Sequence, residues 1–106
     1  MRLITFAPSS TILVFGGDDR VHQLAELSPL LRTYAAARQA GARSRRRVEV
    51  ALRSGRVACV VLLTRWAGHT DTGAIRAMCR APGIACLLVA EGFSAARDVL
   101  AGLLAR

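Results

Sequence analysis

Residues 57–64 read VACVVLLT, an apolar run unbroken until its closing threonine. A strand that is polar on one side can rest on water; one that is apolar on both sides must be covered on both faces. That is the mark of a central strand in a parallel sheet. The rest of the chain is read around it.

Three further strands follow from composition and order. Thr11–Phe15 is a short β-branched and aromatic run closed by Gly16 and Gly17. Residues 33–38, TYAAAR, are a strand by their place in the order, although the alanines also suit a helix. Residues 84–90, IACLLVA, form a second buried run. Between them lie helix patterns. In DRVHQLAELSPLLR, Val21, Leu24, Ala25 and Leu27 share a face, and Pro29 ends or bends the helix because it forces Ser28 out of helical geometry. QAGARSR reads as a turn centred on Gly41, followed by a short helix RRRVEVALRS that stops at Gly55. DTGAIRAMCR puts Ile75, Met78 and Cys79 on one face and Arg76 with Arg80 on another, before Pro82 and Gly83. Ser94 is expected to cap a last helix carrying a stripe of Val99, Leu100, Leu103 and Leu104.

Strand and helix thus alternate through one domain of 106 residues, with residues 1–10 as an arm or an added edge strand (RLITF). Crossovers of this kind are right-handed, and one reversal gives the spatial order 2-1-3-4. The expected fold is α/β: a small Rossmann-like three-layer sandwich on a four-stranded parallel sheet.

The formal charge is +8, and all fifteen basic residues are arginine. Arginine suits bidentate contact with phosphate or carboxylate; an arginine-only set is also what a GC-rich genome encodes. The excess charge favours anionic partners in either case. Cys59, Cys79 and Cys86 are an odd count without C-x-x-C spacing, which argues against a secreted disulfide scaffold; buried thiols there serve as small hydrophobes. MRLITFAPSS is too short for a signal sequence, and no apolar run reaches membrane-spanning length, so a cytoplasmic chain without membrane contact is expected.

In a sheet of this order, ligands settle beyond the carboxyl ends of the strands where the order reverses. The reversal would bring residues 16–20 beside residues 64–70. GGDDR lacks the G-x-G-x-x-G spacing of a dinucleotide loop and the Lys-Ser/Thr of a phosphate loop, and its two acids repel phosphate. Gly16, Gly17 and Gly68 are therefore loop-forming, with Asp18 and Asp19 at a helix start. Paired Asp also suits a magnesium pocket, but Thr64 and Arg65 stand where a further carboxylate belongs, so no metal or cofactor is expected. Arg43, Arg45, Arg46 and Arg47 fall at a helix N-terminus, where amides and guanidiniums together make an anion site; Arg20, Arg38 and Arg65 would join them. Trp66 either covers the core or stacks on a base. His69 either donates to a phosphate or carries a proton, with no nucleophile placed beside it.

Three stretches, VFGGDDR, LTRWAGHTDTGAIRAMCR and LLVAEGFSAARDVL, resemble the bacterial family catalogued as domain of unknown function 2325, over roughly residues 11–104. The resemblance implies a single Rossmann-like domain and marks Arg20, His69 and the Arg76 and Arg80 helix face as matching positions. Gly92 and Ser94 lie in the matching last turn. Gly68 stands where that family has serine, only Gly41 persists after the second strand, and Glu91 replaces a Ser or basic residue. The resemblance implies no reaction.

Together these readings point to a non-enzymatic module that binds a phosphate-bearing partner, nucleic acid or a nucleotide, through Arg43, Arg45, Arg46, Arg47, Arg65, His69 and Arg20. The alternative is an assembly module acting as a homodimer, favoured by a mean hydropathy of +0.36 in so small a chain. A small nucleotide-handling enzyme, dependent on His69 or Asp18, is a third reading.

Overall fold

A computed structural model describes residues 10–36, 40–66 and 69–105, with the side chains of Ala40, Gly41, Trp66 and His69 outside the description. The proposed N-terminal edge strand, Arg38 and Gly68 lie outside the described residues. Four parallel strands, β1 (Thr11–Phe15), β2 (Leu31–Tyr34), β3 (Val57–Leu63) and β4 (Ala85–Val89), stand in the order 2-1-3-4. The fold is α/β and Rossmann-like, as the apolar run of β3 requires: Cys59, Val60, Val61, Leu62 and Leu63 are all buried, pointing alternately to the two faces.

The chain moves one way from β1 to β2 and the other way from β2 through β3 to β4. A right-handed crossover must then change faces. The β1–β2 connection packs Val21 and Leu24 against Ile12 and Val14, together with α3 (Phe93–Leu104) through Ala96, Leu100 and Leu103. The opposite face, with Leu13, Phe15, Val60 and Leu62, is covered by α1 (Ala40–Arg53) and α2 (His69–Arg80) through Val48, Leu52, Ile75 and Cys79. Each fully buried aliphatic side chain contributes about 1.5–3 kcal/mol relative to exposure. Among the described residues no helix is long and apolar enough to cross a membrane.

Four boundaries differ from the expectation, each for a local reason. The first helix is a 3₁₀ helix, Asp19–Leu27. Val21, Leu24 and Leu27 recur every third residue, which aligns them at three residues per turn, and Val21 N–H donates to Asp18 O at 3.0 Å. Second, β2 begins at Leu31, so TYAAAR at 33–38 is not the strand. Its four residues pair with Ile12, Leu13, Val14 and Phe15 of β1, and pairing ends where β1 ends. Third, α1 starts at Ala40, and Gly41 lies inside it instead of centring a turn. Alanine and arginine are strong helix formers, and Ser44, in the second turn, turns its hydroxyl inward to donate to Ala35 O. Removing that buried donor in Ser44→Ala is expected to lower stability by about 1–2 kcal/mol, measurable by urea unfolding. Fourth, Gly92, not Ser94, occupies the N-cap of α3, where its carbonyl accepts from Ala96 N–H at 2.9 Å.

Candidate functional site

The glycine pair at the end of β1 ties the strand's end to β2 and the residues after it. Gly16 N–H donates to Tyr34 O at 3.0 Å, and Gly17 O accepts from Ala36 N–H at 2.8 Å. The Gly16 amide is thereby taken from any phosphate cradle, which needs free amides, and with Asp18 capping the helix that follows, GGDD works as a turn and a cap. Asp18 is the N-cap of the 3₁₀ helix, and its carboxylate takes the Arg20 N–H at 2.9 Å and the Arg20 Nε at 3.0 Å. These bonds, from the guanidinium first and the amide second, hold the Asp18 carboxyl below its ordinary value. Arg20 also lies over the Phe93 ring, 5.2 Å from its centre. It lines a cleft of about 320 Å³ with Phe93, Ser94 and Arg97, on the α3 side of the sheet.

The arginines of α1 divide. Arg45 reaches across to α2 and pairs with Asp71 at 3.2 Å, both partly buried. This bond sets residues 43–47 of α1 next to the first turn of α2, where His69 is the first residue. Arg43, Arg46 and Arg47 are exposed and turn toward β2. Among the described residues no carboxylate pairs with any of the three. Only Arg43 belongs to the first turn of α1, and dipole effects fade beyond that turn. The cations therefore act as side chains, not as a ring around a helix terminus.

Two adjoining hollows lie between β2 and α1. One, of about 340 Å³, is bounded by Asp19, His22 and Tyr34 on one side and Arg43, Ser44 and Arg47 on the other. The second, of about 630 Å³, runs on past Arg32, Tyr34, Arg46, Arg47 and Val50. Thr33, Tyr34 and Arg47 line both. His22 Nδ1 and Thr33 Oγ1 are 2.7 Å apart and fix each other across the floor. Arg32 donates to the carbonyls of Pro29 at 2.8 Å and Leu31 at 3.1 Å, which holds its guanidinium at the strand edge.

Burial pushes the Tyr34 hydroxyl above its ordinary value of 10, against the opposing charges of Arg32 and Arg47. It is a neutral donor throughout the physiological range. Tyr34 is the chain's single tyrosine, so its titration is directly visible in ultraviolet absorbance. The midpoint is expected above 10 in the folded protein, and higher still in Arg47→Ala, which removes a cation that favours the phenolate. A raised acid binds its proton more tightly when folded. Its share of stability is therefore full below pH 10 and is lost as the pH rises through the folded value.

The structure thus brings Arg43, Arg46 and Arg47 together and leaves the other expected contacts elsewhere. Arg20 faces α3, Arg45 is held by Asp71, and Arg65 donates to Glu91 O at 2.8 Å beyond β3 and β4. Arg38 and the His69 and Trp66 side chains lie outside the described residues. Sequence reading missed Arg32, Tyr34 and His22. The signal was the placement of β2: once Leu31 starts the strand, Arg32 and Tyr34 share one face by simple alternation. Among the described residues no cluster of three His, Cys, Asp or Glu could hold a metal ion.

A scan against protein-family models finds no match, and neither a search of curated proteins nor one of solved structures finds a similar protein, so the resemblance noted above rests on its quoted residues alone.

Proposed function

We propose that this chain is a non-enzymatic binding module for a phosphate-bearing partner, nucleic acid first among them, held along the β2–α1 groove. One observation carries the reading: Arg32, Arg43, Arg46 and Arg47 line two continuous hollows that share Tyr34 and Arg47. Guanidiniums spread along a groove suit successive phosphates of a backbone better than one compact anion. Tyr34 adds an aromatic surface and a phenol donor of the kind that single-stranded bases and phosphates use. The overall charge of +8 supplies attraction at longer range.

The test is a titration of the full chain with labelled single-stranded and duplex DNA and RNA at several salt concentrations. Binding at low salt is expected, weakening steeply as counterions compete. Absence of binding to all of them at low salt refutes the reading.

The assembly reading has its own support in two exposed apolar side chains, Val50 and Leu88, at 64% and 50% exposure. Leu88 lies on edge strand β4, whose outer backbone groups have no neighbouring strand among the described residues. A native mass of twice the chain, insensitive to salt and lost in Leu88→Lys, would favour a homodimer.

A further inference from the structure

The face of α1 that borders the groove changes character along its length. Residues 43, 46, 47 and 50 fall at i, i+3, i+4 and i+7, so Arg43, Arg46, Arg47 and Val50 form one stripe. The stripe is cationic until it ends on Val50, which is 64% exposed. Helix formation does not ask for a valine there, since valine is a weaker helix former than the arginines beside it. The core does not use it either. Its place in the groove is what distinguishes it. α1 runs back along β2, with Ser44 bonded to Ala35 O, so Arg43 lies toward the end of the strand and Val50 toward Arg32.

The two hollows differ accordingly. The smaller is walled mostly by polar groups, with Arg43 and Arg47 on its helix side. The larger is mostly apolar, with Tyr34 on the strand side and Val50 and Ala51 on the helix side. Arg32, Arg46 and Arg47 complete its wall, and no carboxylate among the described residues lines it. Its 630 Å³ falls within the range of small-molecule sites, about 300–1,000 Å³.

We propose that the larger hollow is a nucleobase site, so that the groove binds single-stranded nucleic acid in preference to duplex; this rests on the phosphate-binding reading above. One unpaired base lies between the Tyr34 ring and Val50. The phosphate on one side of it meets Arg43 and Arg47, and the phosphate on the other meets Arg32 and Arg46. Simpler occupants fit less of the wall. A compact anion would use the guanidiniums and leave Tyr34 and Val50 in water. A purely apolar ligand would leave the guanidiniums without a counter-charge. A nucleotide unit of a strand brings a flat π-face and charge together, and aromatic side chains take unstacked bases in this way. In a duplex each base face is covered by its neighbours, so only the phosphate contacts remain.

The full chain is titrated with a labelled thymidine oligonucleotide and with an abasic strand of the same length, which keeps the phosphates and lacks the bases. The thymidine strand is expected to bind about 5–150-fold more tightly, the range of one base–aromatic stack. The slopes against salt should match, because the phosphates are the same. Val50→Gln, at an exposed position and toward a stronger helix former, should narrow the preference about fourfold, the value of one methylene-sized apolar contact. Its binding to the abasic strand should stay unchanged. Equal affinity of the wild type for the two strands overturns the base site and leaves the phosphate reading standing; binding of neither overturns both. A doubled native mass lost in Val50→Gln, with no difference between the strands, assigns the valine to a second copy and likewise overturns the site. A preference that Val50→Gln leaves intact overturns the placement. If circular dichroism shows that the variant fails to fold, the wild-type comparison decides alone.

Discussion

Replacing Gly16 with alanine is expected to cost the fold roughly 3 kcal/mol or more, enough to lower the melting temperature by roughly 12 °C or more. Two effects add. Gly16 has a φ of +136°, where side chains with a Cβ are strained, and that Cβ would lie 2.6 Å from Leu63 O and 2.7 Å from Leu63 Cβ. Neither is the movable tip of a side chain. Relief would require the end of β1 to move away from β3, breaking the Phe15–Leu62 register at the centre of the sheet. Gly17→Ala provides the contrast. It has a φ of +77°, but its new Cβ would meet the Phe93 ring tip at 2.6 Å. That ring can swing, so the loss should stay near the 1–2 kcal/mol of the backbone conformation alone. Urea unfolding of the two variants beside wild type separates close contact from backbone strain. Equal midpoints for the two variants would show that the Leu63 contact carries nothing.

The second large effect concerns binding. Changing Arg43, Arg46 and Arg47 together to alanine should reduce the magnitude of the log-affinity against log-salt slope for duplex DNA by about 2.7, at about 0.9 for each phosphate no longer neutralised. Between 50 and 200 mM salt, three such phosphates account for a change of roughly 40-fold in affinity. The variant should lose that part of the salt dependence while keeping its helix, since alanine is a strong helix former. The matching control changes Arg53, Arg76 and Arg80, all exposed and outside the groove, by the same total charge. If net charge alone drew the ligand, the two triple variants would weaken binding alike. A groove contact predicts that the first falls much further. Equal losses would remove the site while leaving a non-specific cationic surface.

The architecture was legible because burial on both faces leaves a plain mark in composition. Residues 57–63 carry no charged or strongly polar side chain, and a strand that apolar is covered only with strands on both sides and helices on both faces, as in the order found. The ends of elements were less legible. The alanines of TYAAAR gave no β signal, and the strand was fixed instead by the length of its partner: Phe15 is the last residue of β1, so Tyr34 is the last of β2. The same error hid the groove. With the strand drawn two residues late, Arg32 fell outside the sheet and Tyr34 had no assigned face. The cluster at residues 43–47 was visible as charge, but its division was not. That Arg45 turns to Asp71 depends on how α1 and α2 pack, a contact between helices separated by a strand.

The sheet's order also dictates when it can assemble. β1 lies between β2 and β3, so its first neighbour emerges from the ribosome early and its second only after Leu63 has been made. Until then the inward rows of Leu13 and Phe15 have neither the middle strand nor α2 against them. Synthesis must therefore proceed past the midpoint before any stable nucleus exists, and closure waits on contacts between distant segments, the slow kind. For the nascent chain, the gap between residues 15 and 57 is a period of exposure set by topology alone.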